Sequence, residues 1–262
     1  MNRKTQRRES EIFTAVAKRD LPELRTLVKK RRYLIDSPHP LRPSKDTPMH
    51  DAVQRDWPDG LNVLIESGSR AVTMEDARGY TPMHVAATNG SLGCFKILAE
   101  RSKHQLSERC REGQTPLIKA VMCDREHVFN AIMECDETDI NALDIYNNSA
   151  LSYAIIFKRF SMADRLISHP LIVTNFVNNE GKTLLHHAAF IGSFSLTSAL
   201  IERNKFDSLF IQHCDNNGKT ALRYAIQEKR KSCAELISEN SFTQRSIFDF
   251  SLEEEDIFTI GF

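Results

Sequence analysis

The residues best able to do chemistry in this chain are its histidines. His50, His84 and His186 each stand three residues after a threonine, and His187 follows the last of them. Imidazoles held in one register could form a metal centre or a proton-transfer site, because a neutral ring nitrogen ligates zinc and titrates near neutral pH. The same register carries Ile118 and Ser152 in two further places, which interrupts any such array. The six cysteines, at 94, 110, 123, 135, 214 and 233, include no Cys-x-x-Cys pair. They fit the reduced thiols of a cytoplasmic or nuclear protein better than a secreted disulfide framework. Cys94 and Cys233 fall where a thiol serves as a small packing residue. The sequence has no Gly-rich phosphate loop, no Gly-x-Ser-x-Gly, no His-Glu-x-x-His and no carboxylate pair with an acid or base partner. No catalytic, cofactor-binding or metal-binding residues are assigned, and an enzyme is the least favoured reading.

The elements that carry the histidines explain their spacing. Thr47, Thr81, Thr115, Ser149, Thr183 and Thr220 follow one another at steps of 34, 34, 34, 34 and 37 residues, and Ser10 takes the same place in an earlier copy. Two residues after each stand Ile12, Met49, Met83, Leu117, Leu151, Leu185 and Leu222. Five after stand Ala15, Ala52, Ala86, Ala120, Ala154, Ala188 and Ala225, and seventeen after stand Leu27, Leu64, Leu98, Ile132, Leu166, Leu200 and Ile237. Self-similarity at a fixed period of this length is the signature of a stacked repeat architecture.

One unit can be read physically. Thr81 is a good N-cap, and Pro82 takes the first helical position, where its missing N–H costs nothing. Met83, Ala86, Ala87 and Gly90 share one stripe of the resulting helix, and Gly90 ends it. A second apolar-periodic segment from 92 to 99 returns, and a polar stretch leads to the next cap. Such a pair cannot bury its own apolar face, so copies must stack as a solenoid. Neighbouring helices in a stack lie about 8–10 Å apart, too far for His50 and His84 to share an ion through ligand bonds of about 2 Å.

The segment GYTPMHVAATNG, residues 79–90, resembles the ankyrin-repeat signature, in which Gly-x-Thr-Pro-Leu-His opens the first helix and two alanines pack it. The resemblance covers nearly the whole chain and implies an all-α ankyrin solenoid of about seven units. These are a basic segment at 1–8, a capping repeat at 9–44, and six repeats at 45–78, 79–112, 113–146, 147–180, 181–217 and 218–240. A tail follows at 241–262. The caps at Ser149, Thr183 and Thr220 lack the proline, which weakens the local helix starts without changing the fold. The resemblance implies that the histidine is structural, bonding near its own threonine and toward the next repeat. It also implies a scaffold or adaptor that binds one or more proteins through the groove and loop tips of the stack, without enzymatic activity.

The positions four, seven and eight after each cap line the groove in such stacks. They are polar early, as Asp51, Gln54, Arg55 and Val85, Thr88, Asn89, then Lys119, Met122 and Cys123. Later they become Tyr153, Ile156 and Phe157, then His187, Phe190 and Ile191, then Tyr224, Gln227 and Glu228. The partner is expected on Tyr153, Ile156, Phe157, His187, Phe190, Ile191 and Tyr224, merged into one patch around the two phenylalanines. Asn141, in TDINALD, resembles the inter-repeat turn asparagine that a dioxygenase hydroxylates in this family.

Lys and Arg total 35 and Asp and Glu total 35, so the net charge is zero, yet residues 1–46 hold thirteen basic against six acidic side chains. That excess admits an alternative reading as a nuclear or chromatin-associated regulator, though no interleaved aromatics point to nucleic acid. The tail SIFDFSLEEEDIFTIGF combines Ile247, Phe248, Phe250, Leu252, Ile257, Phe258, Ile260 and Phe262 with an acidic run, and Ser251 with Glu254 has capping-box spacing. It reads as a cap for the last repeat, as a ligand for the groove, or as a separate docking peptide. No apolar run is long enough to span a membrane, no leader is apparent, and a monomer of cytoplasmic or nuclear location is expected.

Overall fold

A computed structural model describes residues 3–205 and 207–243 of the chain. It divides into two compact units, one up to Ile172 and one from Val173. The first unit contains α1 (Arg3–Lys18), α2 (Leu21–Lys30), α3 (Pro48–Gln54), α4 (Pro58–Glu66), α5 (Pro82–Asn89), α6 (Leu92–Arg101), α7 (Pro116–Met122), α8 (Glu126–Met133), α9 (Ala150–Ile156) and α10 (Phe160–Ile167). The second contains α11 (Leu184–Ile191), α12 (Phe194–Arg203), the short α13 (Ser208–Gln212), α14 (Ala221–Gln227) and α15 (Lys231–Thr243). Among the described residues there is no strand, only isolated bridges between Val177 and Thr183 and between Cys214 and Thr220.

The helix starts follow from the caps. Thr47, Thr115 and Thr220 adopt extended backbone and accept the N–H of the third helical residue. Ser149 does so without a following proline, taking the Ser152 N–H at 3.2 Å, so the missing prolines leave the starts intact. Gly90 closes α5 in the left-handed region at φ 79°. Gly79, at φ 77°, is required twice over, since a Cβ there would also lie 2.8 Å from the Arg111 nitrogen of the next hairpin.

In each unit the first helices pack on one another and the second helices on one another: α1, α3, α5, α7 and α9 in sequence, with α2, α4, α6 and α8 behind them, and α11 on α14 with α12 on α15. The alanine column is at most 2% exposed in every repeat, and the column seventeen residues after each cap at most 7%. Small side chains in the first column let adjacent helices approach closely, and large ones in the second fill the space behind them.

Three boundaries differ from the sequence reading. The basic segment 1–8 and Ser10 do not precede a helix, because α1 already begins at Arg3. RKTQRRESE consists mostly of good helix formers with no breaker before Lys18. The 37-residue step accommodates α13, which Asp207 caps through the N–H groups of Leu209 and Phe210 at 3.2 Å each. The last helix runs on through Thr243 instead of closing at 240. The remainder of the tail, 244–262, lies outside the described residues.

Ala154 is fully buried between its neighbours. Ala154→Leu should therefore overpack α9 and destabilise by about 1–3 kcal/mol. Thermal unfolding followed by circular dichroism measures this, and an unchanged midpoint would remove Ala154 from the core.

Candidate functional site

The histidine register is a set of ties between repeats. His50 Nδ1 accepts the Thr47 N–H at 3.2 Å and lies 2.8 Å from the Thr47 hydroxyl oxygen, while its Nε2 is 2.9 Å from the Tyr80 carbonyl oxygen. His84 repeats this with Thr81 at 3.3 and 2.9 Å and the Gln114 carbonyl at 3.0 Å. His186 does so with Thr183 at 3.1 and 2.8 Å and the Lys219 carbonyl at 3.0 Å. A carbonyl can only accept, so Nε2 carries the proton and Nδ1 is the acceptor. Each ring is neutral and has both nitrogens engaged. Each ring therefore fixes its own helix start and holds the first residue before the next cap. Where Ser152 replaces histidine, its hydroxyl accepts the Ser149 N–H at 3.2 Å, and Ile118 makes no polar tie of its side chain.

Burial is the largest cause lowering the proton affinity of all three rings, pushing His84 down to about 4. His187 faces differently. It is half-buried, its Nε2 has no hydrogen-bond partner among the described residues, and burial again pushes it down to about 4. Among the described residues no three His, Cys, Asp or Glu side chains are placed to hold one metal ion.

A second set of groups, with no counterpart in the sequence reading, organises the hairpin before four of the caps, Thr81, Ser149, Thr183 and Thr220. Asp76 Oδ1 accepts the N–H groups of Arg78 at 2.7 Å and Tyr80 at 2.9 Å. Asp144 does the same for Tyr146 and Asn148 at 2.9 Å each, Asn178 for Glu180 at 3.0 Å and Lys182 at 2.9 Å, and Asp215 for Asn217 and Lys219 at 2.9 Å each. The signal was available, since all four stand five residues before a cap. The second oxygen takes a tyrosine: Tyr153 donates to Asp144 at 2.6 Å and Tyr224 to Asp215 at 2.7 Å. Desolvation acts to raise the Asp215 carboxyl, but the bonds it accepts from Lys219, Tyr224 and Asn217 hold it below the usual carboxylate range.

These tyrosine bonds correct one part of the groove expectation. The position four after the cap is buried in Asp51, Val85, Lys119 and Tyr153 and half-buried in His187 and Tyr224. A side chain there leans back on its own hairpin. Asp51 is 1% exposed, 2.8 Å from Arg42 and 3.6 Å from Arg55, so at Asp51 and Arg55 the early stripe is ion-paired, while Gln54 and Asn89 are exposed. The later positions do reach solvent. Phe157 is 41% exposed and stacks on Tyr153 with ring centroids 5.8 Å apart, beside half-buried Ile156. In the second unit Phe190 is 48% exposed and meets Tyr224 edge-on at 6.2 Å, and Ile191 is half-buried. Lys182 and Lys219 place their ammonium groups 5.6 and 5.5 Å from the Tyr224 ring centre.

Exposed apolar groups also occur where the stripe does not run. Phe160 and Phe194 open α10 and α12, and Ile145 and Tyr146 form a hairpin tip that is polar or charged in most other repeats. Asn141 is half-buried, with its backbone N–H on Asp139 at 3.0 Å and its carboxamide donating to the Leu171 carbonyl at 2.8 Å. In this geometry it ties successive loops of the first unit together.

Stacked helix pairs with polar hairpins, capped by Thr-Pro and tied by histidine, define an ankyrin architecture. The family described as "Ankyrin repeats (3 copies)" matches residues 12–109, 49–144 and 151–246, and the chain belongs to it. It is similar to Neurogenic locus notch homolog protein 1 of Xenopus laevis, 29% identical over 140 residues, covering 53% of this chain and 5% of the relative. It is similar to Neurogenic locus notch homolog protein 2 of Homo sapiens, 31% identical over 106 residues, covering 40% of this chain and 4% of the relative. Alpha-latrotoxin-Lhe1a of Latrodectus hesperus is 34% identical over 96 residues, covering 37% of this chain and 7% of the toxin. The chain thus spans only a small part of each of these relatives. Among solved structures, the ankyrin repeat domain of Bcl-3, a member of the IkappaB protein family, has a TM-score of 0.73 at 25% identity, covering 87% of this chain and 97% of that one. A predatory endopeptidase of Bdellovibrio bacteriovorus in complex with an immunity protein gives 0.61 at 21% identity, covering 73% of this chain and 96% of that one, and supports the fold alone. Among the described residues no helix is long and apolar enough to cross a membrane.

The neutral rings give a pH dependence of defined sign. In the unfolded chain histidine takes up a proton near pH 6.5, whereas folded His84 does so only at about 4. Between those values the unfolded state binds more protons, so stability is full above pH 6.5 and is lost progressively as the pH falls toward 4. His84 alone should contribute a loss on the order of 3 kcal/mol. Urea unfolding at steps from pH 7.5 to 4 checks this, and His84→Gln should flatten the profile.

Proposed function

We propose that this chain is a non-enzymatic scaffold or adaptor that recognises partner proteins through its first-helix stripe, with an exposed aromatic anchor in each unit. The observation that carries this reading is the pair of half-exposed rings, Phe157 on Tyr153 and Phe190 on Tyr224, each beside a half-buried isoleucine of its own stripe, Ile156 and Ile191. A ring held by stacking has already lost much of its rotational freedom, and truncating such an anchor at an interface costs about 2 kcal/mol or more. Ankyrin repeats generally serve as protein-interaction modules, which agrees with this chemistry. The lysines around Tyr224 favour a partner segment carrying carboxylates beside its apolar residues. The basic excess of residues 1–46 is compatible with a nuclear role, and the reduced cysteines with either nucleus or cytoplasm.

Phe157→Glu and Phe190→Glu, made singly, should each cut recovery of a co-purifying partner at least tenfold, as loss of an anchor of about 2 kcal/mol implies. Asn89→Glu, at an exposed position of the early stripe, should leave recovery unchanged. Circular dichroism and thermal unfolding of all three variants should match the parent. Full recovery with folded Phe157→Glu and Phe190→Glu proteins would refute the aromatic anchors.

A further inference from the structure

The last repeat presents a face that every earlier repeat keeps covered. The position six after the cap is 0% exposed as Val16, Val53, Ala87, Val121, Ile155 and Ala189, but Ile226 in α14 is 48% exposed. The position three after the cap is at most 3% exposed as Phe13, His50, His84, Ile118, Ser152 and His186, whereas Arg223 is exposed. Leu222, in a column at most 2% exposed elsewhere, is half-buried. Residues 222, 223 and 226 lie on one stripe of a helix. The second helix of the same repeat is closed, with Ile237 at 0% and Cys233 at 1%.

The hairpin of this repeat shows the same opening independently. A Cβ on Gly79, Gly113 or Gly181 would lie 2.8 to 2.9 Å from a backbone nitrogen of the following hairpin, but around Gly218 nothing lies within 4 Å. The carbonyls of Arg78, Glu112 and Glu180 accept N–H groups from the next hairpin at 3.2, 3.1 and 3.0 Å. Among the described residues nothing donates to the equivalent carbonyl of Asn217. The face therefore offers an apolar stripe, an unpaired carbonyl and a guanidinium at a place where the fold ordinarily buries side chains. An ordinary further repeat, with an uncharged surface, would strand Arg223 without a counter-charge.

We propose that residues 244–262 cover this face, with aromatic side chains on Leu222 and Ile226 and the acidic run 253–256 opposite Arg223. The segment begins immediately after α15 and carries eight large apolar residues, Ile247, Phe248, Phe250, Leu252, Ile257, Phe258, Ile260 and Phe262. Its 19 residues can extend about 60 Å, several times the length of the seven-residue α14. Its carboxylates, Asp249, Glu253, Glu254, Glu255 and Asp256, are opposite in charge to Arg223, the exposed cation of this stripe. A second copy is a poorer occupant. Two-fold pairing would set Arg223 against its own equivalent, and head-to-tail pairing would bring this basic face against the basic first repeat.

Hydrogen exchange by mass spectrometry on the full chain, compared with a chain stopped after Thr243, tests the assignment. Peptides spanning α14 should exchange about tenfold faster or more in the shortened chain, with those of α3 to α9 unchanged. If the shortened chain fails to fold, the full-length double variant Phe248→Ser, Phe250→Ser takes its place. Arg223→Glu should speed α14 exchange in the full chain and have no effect once the segment is removed or its phenylalanines are replaced. Adding Glu253→Lys, Glu254→Lys and Glu255→Lys to Arg223→Glu should restore protection. Equal α14 protection with and without the segment overturns the proposal, and so does protection in the full chain that falls on dilution, which would assign the face to a second copy.

Discussion

A helix pair of this size has one apolar face more than it can cover, and the structure depends on how that face is closed. Each first helix is only seven or eight residues long in the repeats that begin at Thr47 and after. Alone it would be below the length at which a helix holds in water. Its alanine column meets the next helix closely, and the large residue seventeen positions after the cap seals the space behind. Stability is therefore shared between neighbours, each repeat completing the burial of the one before it.

The histidines act within that constraint. A stacked pair still leaves the backbone around each cap with donors and acceptors that face the interior, and unpaired groups there cost free energy. One neutral ring satisfies the Thr N–H on one side and a carbonyl of the next repeat on the other. Both bonds need the Nε2-protonated tautomer, so the ring that joins repeats is also a group that resists protonation. The carboxylate five residues before the cap performs the matching task for the hairpin, binding two N–H groups with one oxygen. Where a tyrosine follows the cap, the other oxygen locks it, and this locked ring is what supports Phe157 in one unit and Phe190 in the other. The proposed binding surface is thus an extension of the same hydrogen-bonded frame that stabilises each hairpin.

A great part of this was legible in the residues themselves. The period, the caps, the alanine column and the glycine turns are local or strictly repeated features, so their spacing was enough for helix pairs stacked as a solenoid, and the resemblance carried by residues 79–90 named the family. The structural role of His50, His84 and His186 came with the family resemblance, and the separation of stacked helices argued against a metal ion shared by His50 and His84. The start of α1 was missed since nothing in its sequence breaks a helix before Lys18, and α13 was missed because the extra residues of that repeat carry no periodic pattern.

Exposure is a different kind of quantity. Spacing placed Tyr153 and Phe157 on the same stripe, but only the folded hairpin, with Asp144 in reach of the phenol, made one a buried support and the other an open ring. Ile226 reads in sequence like Val53 or Val121, and what separates them is whether another helix lies beyond. The sequence by itself determined which residues form each repeat, because caps, turns and apolar period act over a few bonds. Tertiary structure decided which of those residues meet water, because that depends on neighbours some 34 residues away along the chain.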